Sequence, residues 1–226
     1  MRFLFLHFLC LISIIKVQAQ QSETRSIESF KGINATEGVD VYLKQGTKES
    51  IKLEVSGTTL RSVITEVSGG YLKIHLKDGH YKNHSVKAYV TFTEINKLSA
   101  SSAASIFSEG TIKAKEMNIS GSSAGSIEIN IESTSLTVSA SSAGEIDLKG
   151  RTVNLTVDAS SSGEVDAYDV DAESVVAKAS SGASIKINST KALEADASSG
   201  GSIRYRGNPA KTVTNSSSGG SVKKSD

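Results

Sequence analysis

The densest group of chemistry-bearing side chains lies between Leu155 and Val175: Asp158, Glu164, Asp166, Asp169, Asp171 and Glu173, with no Lys or Arg among them. Clustered carboxylates are hard oxygen ligands of the kind Ca²⁺ takes. No Gly-Gly-x-Gly-x-Asp repeat and no EF-hand spacing accompanies them, so the expectation is a solvated acidic strip in which Asp169 and Asp171 share a face. Whether the strip holds a cation stays open. Glu145 and Glu164 form a second candidate. They stand at the same place in two successive copies of a repeated phrase, and stacked copies would bring them roughly 5 Å apart, the separation a retaining glycosidase needs. His80 and His84, four apart, would suit a metal site on a helix. They fall instead in Asp78-Gly79-His80-Tyr81-Lys82-Asn83-His84, which reads as a hairpin loop. The many serines invite a nucleophile reading, yet a nucleophile is needed once and here serine pairs recur. The sequons at Asn118 and Asn154 are background in a chain so rich in Ser and Thr. No residue is assigned a catalytic, cofactor-binding or metal-binding role.

These residues are positioned by a repeat. From Leu98 onward the chain reads SASSAASI, SGSSAGSI, SASSAGEI, DASSSGEV, KASSGASI, DASSGGSI and NSSSGGSV, closing on Ile106, Ile127, Ile146, Val165, Ile185, Ile203 and Val222. The steps are 21, 19, 19, 20, 18 and 19 residues. One unit of this length cannot bury its own apolar face, so the copies must stack as a solenoid. Within a copy, Leu136, Val138, Ala140, Ser142, Gly144, Ile146 and Leu148 alternate with more polar residues, which is extended chain with one buried face. Gly150-Arg151-Thr152 then turns the chain. This alternation predicts that Ser142 and Ser161 point inward, that Ser141 and Ser160 point outward, and that Ser142→Leu overpacks the interior. Two residues before each closing Ile or Val there is only Gly or Ala, as expected where walls approach closely.

The fold class is therefore all-β: a parallel β-helix of about seven coils. Residues 29–96 are less regular, with strand signals at Val39 to Leu43, Ile51 to Val55, Tyr71 to Leu76 and Val86 to Val90, and turns at Gln45-Gly46, Ser68-Gly69-Gly70 and Asp78-Gly79. They are expected to cap the coils of residues 97–226 within one domain spanning 29–226. Residues 1–19 read as a signal peptide, with Arg2, an apolar stretch and a Val17-Gln18-Ala19 cleavage site, followed by a linker over 20–28. Cys10 lacks a lipoprotein context, so the mature chain is expected to begin near Gln20 without a lipid anchor and without cysteine. No later segment is apolar enough to span a bilayer. A formal net charge of +1 argues against nucleic acid as a partner.

The opening Phe30-Lys31-Gly32-Ile33-Asn34, the Gly38-Val39-Asp40-Val41 and Gln45-Gly46 that follow, and the later Ser/Gly/Ile repeats together resemble the putative auto-transporter adhesin head GIN domain family. The resemblance covers nearly all of the expected mature chain. It implies an exported β-helical domain, common in Gram-negative gut and environmental bacteria, with adhesion as its proposed role and no site residues to carry over. The expected function is an exported, non-catalytic cell-envelope interaction or adhesin-like module, in the periplasm, on the outer membrane surface or outside the cell. Its partner would be an envelope protein or a glycan, with no cofactor. The alternative is a polysaccharide-acting hydrolase or lyase on the same scaffold. Against that, aromatic platforms are scarce, because Phe107, Tyr168 and Tyr205 occupy different places in the coil, and the even steps leave little room for inserted loops that would build a groove.

Overall fold

The computed structural model describes residues 20–225, so the expected signal peptide over residues 1–19 and its expected cleavage site lie outside the described residues. The first strands are β1 (Gln21–Arg25), β2 (Gly32–Ala35), β3 (Val39–Gln45), β4 (Ser50–Ser56), β5 (Val63–Ser68), β6 (Tyr71–Leu76), β7 (Ser85–Phe92) and β8 (Lys97–Ala100). Long strands follow: β9 (Ser105–Gly121), β10 (Ser126–Ala140), β11 (Glu145–Ala159), β12 (Glu164–Ala179) and β13 (Ser184–Ala197). The chain ends with β14 (Ser202–Arg206), β15 (Lys211–Ser216) and β16 (Ser221–Lys224). Together they form a β-solenoid of about seven turns.

The long strands are long because the ladder continues around a corner. In β11 the residues from Glu145 to Lys149 lie on one wall, Gly150 to Thr152 make the corner, and Val153 to Ala159 lie on the opposite wall. Each residue pairs in parallel with its counterpart one coil away, Ile146 with Ile127 and Leu155 with Leu136. Ile146, Leu148, Leu155, Val157 and Ala159 are all buried, and the same columns repeat through Val165, Val175 and Ala177. The core is thus a narrow slot between two walls. At the last coil its inward positions become Thr212, Thr214 and Ser216, stacked under Leu193, Ala195 and Ala197, so the apolar column ends in hydroxyl-bearing residues.

The inward placement of Ser142 and Ser161 is overturned: both are exposed. The amide of Gly144 donates to the Ser141 carbonyl at 2.9 Å, closing a four-residue turn in which Ser142 (φ 49°) and Ala143 (φ 58°) are both left-handed. That is a type I′ reversal. A two-residue turn tip leaves the period-two phase unchanged, so alternation reads straight through a reversal. Ser142→Leu therefore projects from the turn and does not overpack the interior. Backbone bonds from Ala124 N to Ser142 O and from Ala143 N to Ser161 O, both 3.2 Å, stitch one tip to the next. The Gly/Ala column is placed as expected. A Cβ on Gly144 would strike the Gly121 carbonyl group and lie 2.7 Å from Ser122 N.

The first third is more regular than its sequence suggests, because its coils are interleaved. β2 and β3 are joined by a turn with Glu37 (φ 62°) and Gly38 (φ 67°) at its tip, the same left-handed pair as in the repeats. β2 pairs with β6 on one side and β8 on the other, and β3 pairs with β7 and β9. Above this, β4 runs antiparallel to β7 and β5 antiparallel to β6. Residues 21–25, expected within a linker, form β1 against β4. Their side chains are almost all exposed, so no apolar alternation marked them as a strand. Arg25 fastens this edge across the top of the slot, donating to Val63 O and Leu60 O at 2.7 Å and to Thr65 Oγ1 at 3.0 Å.

Candidate functional site

The wall carrying Glu145 and Glu164 displays its outward residues in columns. One column runs, in register, through Lys52, Tyr89, Tyr42, Phe107, Glu128, Asp147, Asp166, Lys186, Arg204 and Lys223. It therefore changes character along the solenoid, from aromatic to acidic to basic. The aromatic part was missed in the sequence because Tyr42 and Tyr89 lie outside the visible repeats. Tyr42 stacks on Tyr89 with centroids 5.1 Å apart and on Phe107 at 5.3 Å, with interplanar angles of 18° and 23°. Lys52 Nζ lies 5.7 Å from the Tyr89 centroid. The rings thus spend their faces on one another. A sugar needs an open ring face, so this ladder stiffens the wall.

The acidic part brings Glu128, Asp147 and Asp166 onto successive rungs, roughly 4.8 Å apart by strand spacing, with Glu145 and Glu164 beside them, directly in register. Lys186 answers one end, with Nζ 2.9 Å from Asp166 and 3.3 Å from Glu164. Asp147 sits in the middle. Partial burial pushes its carboxyl up from the usual aspartate range, and the charges of Glu145, Asp166, Glu128 and Glu164 push the same way. The folded state thus binds this proton more tightly than the unfolded chain does. The cost of ionising Asp147 is absent below the unfolded pKa, about 3.9, and grows as pH rises through the raised folded value. Asp147→Asn is accordingly expected to raise stability at pH 7, by at most about 1 kcal/mol after solvent screening. The gain should vanish near pH 3. Thermal melts at both pH values check this, and an equal shift at both would contradict it.

The acidic strip does not stay together. Asp158 lies on the far wall, in register between Ser139 and Lys178. Asp171 accepts from Asn188 Nδ2 at 3.0 Å, and Glu173 pairs with Lys191 at 2.6 Å. Asp169 faces Lys149 on the next rung and joins Glu128, Asp147 and Asp166 around a depression of about 360 Å³. So Asp169 and Asp171 are both exposed but line different concavities. Tyr168 flanks the depression because a bulge inserts one residue there, shifting the register between Asp147 and Lys149. Arg206 lies 4.1 Å over the Tyr168 ring. The 20-residue step from Val165 to Ile185 carried that signal.

A larger groove of about 850 Å³ runs along the corners, lined among others by Lys113, Lys115, Glu132, Arg151, Asp171 and Glu173. Even steps did not forbid a groove, since the corners themselves are concave. Its charges are largely self-neutralising, with Arg151 3.2 Å from Glu132. His80 is exposed in the irregular segment between β6 and β7, and His84 packs 5.6 Å from Tyr81. Among the described residues, no group of three or more His, Cys, Asp or Glu is placed to hold a metal ion.

The residues that carried the family resemblance have structural tasks. A Cβ on Gly32 would lie 2.6 Å from the Tyr71 ring. Where β3 ends, the Gln45 amide stands in for a strand residue: it accepts from Lys113 N at 2.9 Å and donates to Lys113 O at 3.1 Å and Thr93 O at 3.2 Å.

Stacked parallel walls, tight turn tips and an antiparallel cap, displaying outward ladders, define a β-helical module. The family model described as putative auto-transporter adhesin, head GIN domain, matches residues 29–209, and the chain belongs to that family. A putative adhesin from Bacteroides fragilis is similar in structure, with TM-score 0.83 and 18% identity over 92% of this chain and 97% of that one. A putative lipid binding protein from Parabacteroides distasonis gives TM-score 0.69 and 22% identity, covering 92% and 97%. A putative adhesin from Parabacteroides merdae gives 0.68 and 18%, covering 92% and 96%. At these identities the likeness is one of fold. No curated protein sequence matches the chain. No helix among the described residues is long and apolar enough to cross a membrane.

Proposed function

We propose that the protein is an exported, non-catalytic adhesin-like module, a single domain over 29–226, that binds an envelope protein or glycan through its walls. The observation that carries this reading is the placement of its chemistry-bearing side chains in in-register ladders on open walls. Such surfaces offer many weak, aligned contacts to an extended partner, and they do not exclude water from a single reacting bond as a catalytic site must. The N-terminal apolar segment ending at Val17-Gln18-Ala19 supports export. The Glu145–Glu164 rung pair, beside the depression that holds Asp147, favours a second reading, a polysaccharide hydrolase or lyase. A glycan and envelope-protein panel separates the two. Binding without product release is expected. Product release that is lost in Glu145→Gln or Glu164→Gln would establish the enzyme instead.

A further inference from the structure

The wall that bears the ladders has an acidic band, Glu128, Asp147 and Asp166, followed on the next three rungs by a basic band, Lys186, Arg204 and Lys223. Each band is like-charged along its own column, and Lys186 bonds only to acids at the seam, Asp166 and Glu164. Glu128, Arg204 and Lys223 are exposed, and the aligned residues of the neighbouring column are Ser126, Glu145, Glu164, Ser184, Ser202 and Ser221. Three acidic rungs followed by three basic rungs, evenly spaced, make a self-complementary pattern: it matches its own reverse with the signs exchanged.

We propose that this wall pairs face to face with the same wall of a second copy, about a twofold axis parallel to the strands and midway between the Asp166 and Lys186 rungs. Such an axis reverses the stacking direction and keeps each column opposite itself, as an isologous interface requires. Asp166 then faces Lys186 of the second copy, Asp147 faces Arg204 and Glu128 faces Lys223, and each pair occurs twice. In one flanking column Glu145 and Glu164 meet Ser202 and Ser184, hydroxyls able to donate to them, while in the other Lys149 meets Arg206, a like-charged pair that opposes the contact and is outnumbered by the three opposite-charged pairs. Six rungs of about five residues present roughly 500 Å² on each copy, or about 1,000 Å² in total, which is the lower end for a specific interface. The dimer is therefore weak, reversible and salt-sensitive. The inference rests on the wall's charge order and not on the identity of any external ligand.

Sedimentation of the purified protein across a concentration series tests it. A monomer–dimer equilibrium is expected at low salt, weakening at least about 10-fold as ionic strength rises to several hundred millimolar. Asp147→Arg alone and Arg204→Asp alone should each give monomer, while the double exchange, which restores opposite signs across the axis, should dimerise again. Circular dichroism melts confirm that the variants fold. A monomer at all salts, a dimer indifferent to both single changes, or no recovery in the double exchange overturns the proposal. So does a wall that stays monomeric and binds a basic peptide such as oligolysine through its acidic band. Failure of the glycan and envelope-protein panel leaves this result unaffected, and the reverse is also true.

Discussion

Gly150→Ala lowers folding stability by about 3 kcal/mol or more, whereas Gly110→Ala costs about 1 kcal/mol. Both glycines have positive φ, 121° and 95°, so both substitutions carry the conformational cost of placing an L-residue there. The difference lies in what surrounds them. A Cβ on Gly150 would strike the carbonyl oxygen of Ile131 in the preceding coil, with Ile131 N at 3.1 Å, while a Cβ on Gly110 meets nothing within 4 Å. Backbone oxygen cannot swing aside as a side chain can. Relief requires opening the ladder between β10 and β11 at the corner. Urea unfolding of both variants measures the contrast, and equal losses would mean that the corner yields more readily than its geometry implies.

Gly144→Val is expected to be comparably damaging, at about 3 kcal/mol or more. The position is buried, and its Cβ direction runs into the Gly121 carbonyl group of the coil before it. A β-branched side chain cannot be accommodated without parting two coils. Gly144→Ala should lose less, since Ala104 and Ala183 are buried in the same column. Two residues away the expectation reverses: Ser142→Gly should raise stability by up to about 1 kcal/mol, because it removes a left-handed serine (φ 49°) from an exposed turn tip. Denaturant midpoints order the three variants, and a loss in Ser142→Gly comparable to that in Gly144→Val would show that the tip serine is held inside after all.

The same neighbourhood shows what sequence can and cannot convey. The repeat length and the alternation around Ile146 and Leu155 defined coils and strands, because burial of one face imposes period two wherever the chain is extended. Alternation could not distinguish a strand from a two-residue reversal, so Ser142 was given the wrong side. The Glu145–Glu164 rung was legible, since in-register stacking follows from aligned copies. The ring stack of Tyr89, Tyr42 and Phe107 was not, because apolar alternation says that a strand has a buried face but not which distant strand lies beside it. The Tyr168 bulge was present only as one additional residue in a step, and length alone does not say where an extra residue goes. The corner groove was hidden for another reason: it arises from chain curvature, which leaves no compositional trace.

The interleaving of the first coils also bears on time. From β9 onward each coil is laid directly against the one made just before it, so a chain that emerges N-terminus first can add these coils in order of synthesis. Residues 32–45 cannot follow that rule. One flank of this segment is supplied by residues 71–92 and the other by residues 97–108, so both of its neighbours are made after it and its second edge stays open longest. The N-terminal third therefore has both flanks of this segment covered only after Ser108 has emerged, and from that point it offers an edge on which the remaining coils can grow one after another.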